Sequence, residues 1–196
     1  MSRLAVFGYG SLVSRGSAEL TLGRPVPPLV PARLEGWTRR WTLARDNNAC
    51  EKTFARSGDG TLPDFCLGLN LEADPGAPPP NGALLEVSPA ELERLDLREM
   101  RYRRLEVAET VRTASGEPHG FDRILAYRAR PEHHHPTPPP DCVLVASYLR
   151  AVEAAFAELG PGELELFRAT TEVPPVDVVE ADLVLDSIPP GNPRGW

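Results

Sequence analysis

The sequence has few cysteines, no excess of basic residues and no long hydrophobic run, and each of these absences argues against a class of protein. Cys50, Cys66 and Cys142 are an odd number of cysteines without a CxxC spacing, which favours reduced thiols in a core over a disulfide framework or a zinc site. With 21 basic and 28 acidic side chains, the net charge of -7 leaves no broad positive surface for a phosphate backbone. We therefore expect no nucleic-acid partner.

The apolar runs fall far short of the roughly 18 residues that are typical of a membrane span. Gly8 and Gly10 interrupt the amino terminus before a secretory hydrophobic region could form. These features predict a cytoplasmic protein without a membrane partner. The length of 196 residues predicts a single domain over residues 1–196, since domains average roughly 150 residues.

Proline is abundant and clustered. The 22 prolines are about twice the usual share of roughly 5%, and most lie in residues 24–31, 74–80, 131–140 and 188–193. Because proline fixes its backbone and lacks an N–H group, these clusters predict stiff connections between elements. From about residue 173 the chain is predicted to be a proline-rich tail that lies against the domain.

Several short apolar or alternating runs predict β-strands. Residues 4–7 are continuously apolar and end at glycine, as in a strand buried on both faces. We expect residues 33–43 to form one strand with a bend at Gly36. The other predicted strands are residues 65–71, 83–87, 103–111 and 121–127, the last two joined around Gly116.

The segment after Ser88 has a complete set of helix start signals. Ser88 is the predicted N-cap, Pro89 follows at the first helical position, and Glu91 completes a capping box. At about 100° per residue, Glu99 falls between Leu92 and Leu95 on the buried stripe. A carboxylate in that position loses hydration, so its pKa should rise toward the range that is useful for proton transfer. The alternative is an end-of-helix glutamate that is paired with Arg98, Arg101 or Arg103.

A second, longer helix is predicted from apolar residues at helical spacing between Val145 and Leu159. Asp141 is its expected N-cap, and Gly160 stands just past its end.

The glycine turn at residues 8–10 matches neither of the common phosphate-binding motifs. The third glycine of a GxGxxG pattern is absent, and no Gly-Lys-Ser/Thr occurs in the chain. The turn could be a nest of backbone N–H groups that holds a carboxylate, or an ordinary turn.

Two other candidate groups lack the partners that their chemistry needs. Ser11 has no GxSxG context and no evident base. His133, His134 and His135 are adjacent and cannot form a tetrahedral metal site alone, although a metal-dependent hydrolase is a competing hypothesis.

Taken together, these stretches resemble the gamma-glutamylcyclotransferase superfamily, which includes glutathione-degrading and gamma-glutamylamine cyclotransferases and AIG2-like proteins. Residues 7–12 (FGYGSL) resemble the YGSL signature after the family's first strand, and residues 36–41 (GWTRRW) resemble its G-aromatic-x-R-x-aromatic pattern. Residues 82–87, followed by residues 95–99 (LDLRE), resemble the segment with the catalytic glutamate. Weaker matches lie at residues 102–104 and 126–127. The resemblance covers about the first 130 residues.

The resemblance implies an α+β fold in which a small mixed β-barrel is packed with helices. It also implies a cofactor-independent enzyme of the acyltransferase or lyase class, which converts a gamma-glutamyl amine, amino acid or peptide to 5-oxoproline and the free amine. Glutathione metabolism is one setting for such a reaction. The implied general acid and base is Glu99. The implied contacts to the substrate are the backbone of Tyr9, Gly10, Ser11 and Leu12, which would hold its α-carboxylate, and the Tyr127 hydroxyl.

The alternative is a non-catalytic binding protein for a gamma-glutamyl or similar zwitterionic ligand. The sequence leaves open which gamma-glutamyl compound is used, whether the chain forms a homodimer, and whether residues 187–196 cover the site.

Overall fold

The computed structural model describes residues 3–48 and 50–188. The strands in these residues are β1 (Leu4–Gly8), β2 (Val30–Leu34), β3 (Trp37–Asp46), β4 (Lys52–Arg56), β5 (Phe65–Ala73), β6 (Asn81–Glu86), β7 (Tyr102–Glu106), β8 (Val111–Thr113), β9 (Arg123–Ala129), β10 (Cys142–Val145), β11 (Val178–Val179) and β12 (Ala181–Asp186). The α-helices are α1 (Arg15–Leu22), α2 (Pro89–Arg98), α3 (Ala146–Leu159) and α4 (Glu163–Ala169). Among the described helices, none is both long enough and apolar enough to cross a membrane.

The strands form two larger mixed sheets and a small ribbon. The six-stranded sheet has the order β7-β9-β1-β6-β2-β8, in which β1 runs parallel to β9 and antiparallel to β6. The four-stranded sheet has the order β11-β10-β5-β3, with β10 parallel to both of its neighbours. β12 and β4 form an antiparallel ribbon. The central place of β1 explains its continuous apolar sequence, since both of its faces are covered.

The main core lies between the two larger sheets and the helices α3 and α4. Phe7 from β1, Leu34 from β2, Leu69 from β5 and Phe156 from α3 are almost fully buried in one cluster. Burial of each such side chain contributes about 1.5–3 kcal/mol of hydrophobic stabilisation. The resulting half-barrel with four packed helices confirms the predicted α+β fold with a mixed β-barrel.

The predicted start of α2 is confirmed in detail. The Ser88 Oγ accepts a hydrogen bond from the Glu91 N–H, and a Glu91 carboxylate oxygen accepts one from the Ser88 N–H at 2.7 Å. Leu92 and Leu95 are buried against α1 and the six-stranded sheet. α2 therefore has a fixed start and a fixed buried face, which together determine where its last residues lie.

Residues 33–43 do not form the single bent strand that was predicted. They are divided between β2, in the six-stranded sheet, and β3, in the four-stranded sheet. Gly36 has a φ of +77° in the connection, a left-handed conformation that favours glycine. The chain therefore turns at Gly36 and crosses from one sheet to the other.

The predicted start of the long helix is also wrong. α3 begins at Ala146 with Val145 as its N-cap, because the apolar residues before it form β10 beside β5. Asp141 precedes that strand, with a φ of +47°, and its carboxylate binds Arg56 at 2.5 Å. Gly160 follows the helix end as predicted.

Several further elements differ from the predictions. The strand predicted over residues 103–111 ends at Glu106, and α1 and β4 were not predicted. The segment predicted as a tail from about residue 173 contains β11 and β12, of which β12 pairs with β4. Of residues 187–196, for which the sequence left open whether they cover the site, only Ser187 and Ile188 are described, and the remainder lies outside the described residues.

Candidate active site

The first part of the site is the turn that follows β1. Gly10 leads into a short 3-10 turn, Ser11–Val13, in which the Val13 N–H donates to the Gly10 carbonyl at 3.0 Å. The turn folds back so closely that a Cβ on Gly8 would lie 3.0 Å from the Leu12 Cβ. On the neighbouring strand, a Cβ on Gly82 would lie 2.2 Å from the Gly8 carbonyl oxygen. Position 82 therefore requires glycine for steric reasons, whereas a side chain at position 8 would be tight and would push the Leu12 backbone outward.

A buried arginine is hydrogen-bonded to the backbone of this turn. Arg39 on β3 is fully buried, and its Nη1 donates to the carbonyl oxygens of Tyr9 at 3.2 Å and Asn81 at 2.7 Å. Its guanidinium also lies 4.2 Å from the centre of the Phe167 ring. Burial lowers the pKa of Arg39 to about 9, which still leaves it charged at neutral pH. The sequence pattern included Arg39 but gave it no role.

The second part of the site is Glu99, at the carboxyl end of α2. Its N–H donates to the Leu95 carbonyl at 2.7 Å, and its carbonyl accepts from the Tyr102 N–H at 2.8 Å. Its side chain is 14% exposed, and its Oε1 lies 3.0 Å from the Arg98 Nε. Burial raises the pKa of the Glu99 carboxyl above its ordinary value, while the Arg98 guanidinium opposes that rise. Glu99 thus combines the predicted burial with the arginine pairing that was its alternative.

Glu99 and the turn border the same two adjoining cavities. The larger has a volume of about 140 Å³, and the smaller of about 30 Å³. Ser11, Glu99, Tyr102 and Tyr148 line both of them. The smaller cavity is also lined by the remaining predicted substrate-binding residues, which are Tyr9, Gly10, Leu12 and Tyr127. The structure therefore brings every predicted site residue to one hollow.

Arg98 connects the turn, α1 and Glu99. Its Nη2 donates to the Ser11 Oγ at 2.9 Å, and its Nη1 donates to the Thr21 Oγ1 at 2.7 Å and to the Ser17 carbonyl at 3.2 Å. Its side chain is only 4% exposed. A positive charge therefore lies directly behind Ser11, beside the negative charge of Glu99. This arrangement suits a zwitterion with its carboxylate at the turn and its ammonium at Glu99.

The tyrosines of the site have different hydrogen-bond partners. Tyr127 was predicted as a substrate contact, but its hydroxyl donates to Asp96 at 2.9 Å. The Tyr102 hydroxyl donates to the Leu69 carbonyl at 2.7 Å, and burial raises the pKa of Tyr148 to about 12. Sequence reasoning missed Tyr102 and Tyr148 as site residues. Tyr148 fitted the apolar stripe of the long helix, and Tyr102 was only a weak match.

The histidine run lines neither cavity, whereas Cys66 lines the larger one together with Glu99. The His134 Nε2 lies 2.8 Å from a Glu72 carboxylate oxygen. Within the described residues, no three His, Cys, Asp or Glu side chains are grouped so that they could hold a metal ion. Cys66 and Cys142 are buried free thiols, and Cys50 is a partly buried one.

Comparison with solved structures identifies the fold. The chain resembles a structure titled gamma-glutamyl cyclotransferase with a TM-score of 0.59 at 17% identity, over 91% of this chain and 95% of that one. The chain has the gamma-glutamyl cyclotransferase fold. An uncharacterized protein from Homo sapiens is similar to this cyclotransferase-fold chain with a TM-score of 0.58 at 17% identity, over 89% and 90% of the two chains.

YkqA from Bacillus subtilis is similar with a TM-score of 0.55 at 20% identity, over 86% of this chain and 54% of that one. No protein-family model and no curated protein sequence matches the chain. At these identities the likeness establishes the cyclotransferase fold alone.

Proposed function

We propose that the protein is a cofactor-independent cyclotransferase that releases 5-oxoproline from a gamma-glutamyl compound. The observation that carries this proposal is the position of Glu99, a buried carboxylate that lines the same cavities as the turn at residues 9–12. A binding protein without turnover, the alternative, would need Glu99 only as a charged partner for an ammonium, and a pKa raised by burial favours proton transfer over that role.

The substrate's α-carboxylate would lie at the turn, where the first amides of a helical turn lack acceptors within it. The Arg98 guanidinium, which donates to the Ser11 Oγ, adds a positive charge behind this position. The α-ammonium would lie at Glu99. The two ends of the substrate's amino-acid group would thereby be fixed by opposite charges.

In the reaction, Glu99 takes a proton from the α-ammonium, and the freed amine attacks the γ-carbonyl carbon. A new carbon–nitrogen bond closes the five-membered ring, and the bond from the γ-carbon to the departing nitrogen breaks. Glu99 returns its proton to that nitrogen, and the second proton that the attacking nitrogen loses on becoming the lactam N–H also ends on the departing amine. No water is consumed, and the products are 5-oxoproline and the amine in its ammonium form. Because the nucleophile belongs to the same molecule, correct folding of the substrate supplies much of the rate.

The raised pKa of Glu99 supports this double role. A carboxyl with an ordinary pKa is almost fully ionised near neutral pH and so rarely carries a proton to donate. Burial raises the pKa of Glu99 and so favours the protonated form that the second step needs. The opposing effect of Arg98 keeps the charged form accessible, which the first proton transfer requires.

The test is release of 5-oxoproline by the purified protein from a panel of gamma-glutamyl amino acids, peptides and amines. Glu99→Gln should lower kcat by about 10²–10⁴-fold, the usual contribution of general acid–base catalysis. Glu93→Gln is the matched control, because Glu93 is an exposed carboxylate on the same helix. The melting temperatures of both variants report whether the fold is kept.

Three outcomes would contradict the proposal. Absence of 5-oxoproline with every compound, combined with measurable binding of one, would favour the binding protein. Full turnover by Glu99→Gln would remove Glu99 as the acid and base. Inhibition by chelators would favour the metal-dependent hydrolase. The cytoplasmic location and a homodimer stay predictions.

A further inference from the structure

The larger cavity has a strongly cationic wall that the proposed chemistry does not use. Besides Arg98 and Glu99, its charged lining residues are Arg45 on β3, Lys52 on β4, Arg101 after α2 and Glu51 before β4. The described residues thus give this cavity four cations and two carboxylates. The smaller cavity, by contrast, has Glu99 as its charged lining residue in the described part of the chain.

Two of the four cations are neutralised by the two carboxylates. Arg98 pairs with Glu99, and Arg101 binds Glu51 through two hydrogen bonds, each of 2.8 Å. The Arg101 hydrogen bonds lower the pKa of Glu51 to about 2, so this pair is charged throughout the neutral range. The two remaining cations of the lining are Arg45 and Lys52.

The hydrogen-bond acceptors of Arg45 are a thiol, a backbone carbonyl and a side-chain amide. In the described part of the chain its guanidinium donates to the Cys50 Sγ at 2.7 Å, the Lys52 carbonyl at 2.5 Å and the Asn47 Oδ1 at 3.4 Å. It also lies 5.5 Å from the centre of the Phe54 ring. These contacts orient the guanidinium without neutralising its charge, and Glu51, which is bound by Arg101, also lies close enough to interact with it.

Lys52 contributes less charge than Arg45. It is buried, and Asp186, its cross-strand neighbour on β12, offsets part of its charge. Its pKa is lowered chiefly by burial and also by the nearby charges of Arg45 and Arg98, while Asp186 and Glu51 act in the opposite direction. The cations of this wall are therefore close enough to act together on a bound anion.

We infer that the amine released by this enzyme bears a carboxylate, so that the substrate is a gamma-glutamyl amino acid or peptide rather than a gamma-glutamyl diamine or simple alkylamine. This inference rests on the proposed function. The γ-glutamyl part occupies the turn and Glu99, and the departing group extends into the larger cavity toward Arg45. A carboxylate there meets the surplus positive charge, a neutral alkyl group gains nothing from it, and an ammonium is repelled.

The test compares three substrates whose departing groups are similar in size: γ-glutamylglycine, γ-glutamyl propylamide and γ-glutamyl aminoethylamide. For the wild-type protein, kcat/KM should be at least about tenfold higher for γ-glutamylglycine than for the propylamide, given the strength of a charge-assisted hydrogen bond. The aminoethylamide should be the poorest of the three. High salt should reduce the differences, since the cavity is partly open to solvent.

The variant Arg45→Gln should lower kcat/KM for γ-glutamylglycine by about tenfold and change that of the propylamide by less than about threefold. Arg45→Lys keeps the charge and should keep the order of the three substrates. Arg112→Gln is the control, because Arg112 is an exposed arginine that pairs with Glu35 away from the cavities. Should Arg45→Gln fail to fold, the three substrates compared with the wild-type protein and with Arg45→Lys still test whether a carboxylate on the departing group is preferred.

Equal kcat/KM for the three substrates would overturn the inference while leaving the cyclotransferase reaction in place. An equal loss for all three in Arg45→Gln would also overturn it, since Arg45 would then act on the shared γ-glutamyl part. If no compound yields 5-oxoproline, the proposed function fails instead. Calorimetric binding of γ-glutamylglycine against the propylamide would then test the cationic wall by itself, and equal affinities would refute it.

Discussion

Replacing Arg98 by methionine tests how the site controls the charge of Glu99. The guanidinium of Arg98 makes an ion pair with Glu99 and hydrogen bonds to Ser11, Ser17 and Thr21, and both members of the ion pair are largely buried. Methionine keeps most of the apolar stem and removes the charge. We expect a less stable protein whose Glu99 takes up a proton more readily.

The size of the effect follows from the burial of the pair. Removing one partner of a buried ion pair costs about 3–5 kcal/mol, because the other charge is left unpaired. In a domain of this length each kcal/mol corresponds to roughly 2–4 °C in melting temperature. Arg98→Met should therefore lower the melting temperature by roughly 6–20 °C at neutral pH.

The loss should depend on pH with a definite sign. Glu99 already has a folded-state pKa above its ordinary value of 4.5, and Arg98 limits that rise, so Arg98→Met should raise the pKa further. A carboxyl whose pKa is higher in the folded state favours folding at low pH, and this contribution is lost as the pH rises from the ordinary pKa through the raised one. The destabilisation should therefore be smallest in mild acid and grow toward neutral pH.

Urea unfolding of Arg98→Met, Glu99→Gln and the double variant across this pH range measures the coupling energy between Arg98 and Glu99. In the Glu99→Gln background, Arg98→Met should cost less, and the pH dependence should largely disappear, because no unpaired carboxylate remains. The acidic limb of the kcat/KM profile should also move to higher pH in Arg98→Met, since Glu99 must lose its proton to act as base. Equal costs with and without Glu99→Gln, or an unmoved acidic limb, would show that Arg98 only supports the fold.

Two further predictions concern the turn. Arg39→Met should cost at least about 3 kcal/mol in urea unfolding because it leaves buried carbonyls without their donor, while Arg40→Met, at a partly exposed neighbouring position, should cost less than about 1 kcal/mol. Gly82→Ala should lower both stability, by about 1–3 kcal/mol, and kcat, since its Cβ would displace the Gly8 carbonyl. Gly16→Ala in α1 meets no atom within 4 Å and should stabilise by about 0.5–1 kcal/mol. Near-equal stabilities of Arg39→Met and Arg40→Met, or of Gly82→Ala and Gly16→Ala, would contradict these predictions.

The parts of the fold that could be predicted are those set by local sequence. The capping box at Ser88 involves residues three apart, and the apolar run of β1 reflects its own burial. Helical spacing could not place the start of α3, because the apolar residues of β10 lead directly into the stripe of the helix. Only the pairing of β10 with β5, which is distant in sequence, decides that boundary.

The same limit applies to the site. Glu99 and the glycine turn could be found because each lies in a recognisable local pattern. Tyr102, Tyr148 and Arg45 reach the cavity through sheet pairing and helix packing, which no local pattern encodes. The surplus of positive charge in the larger cavity could likewise be seen only when residues from several elements were assembled.

The end of α2 explains how two adjacent residues can serve one site. Successive side chains on a helix point about 100° apart, so Arg98 and Glu99 would diverge if the helix continued. Glu99 instead has a φ of -90° and a ψ of 37°, which ends the helix and lets its carboxylate meet the arginine before it. Its N–H and its carbonyl are both hydrogen-bonded, to Leu95 and Tyr102, so this geometry is fixed by the backbone. In the proposed reaction the helix end would supply the acid, set its charge and anchor the turn at residues 9–12 through Ser11, so the reaction should depend on Arg98 as well as on Glu99.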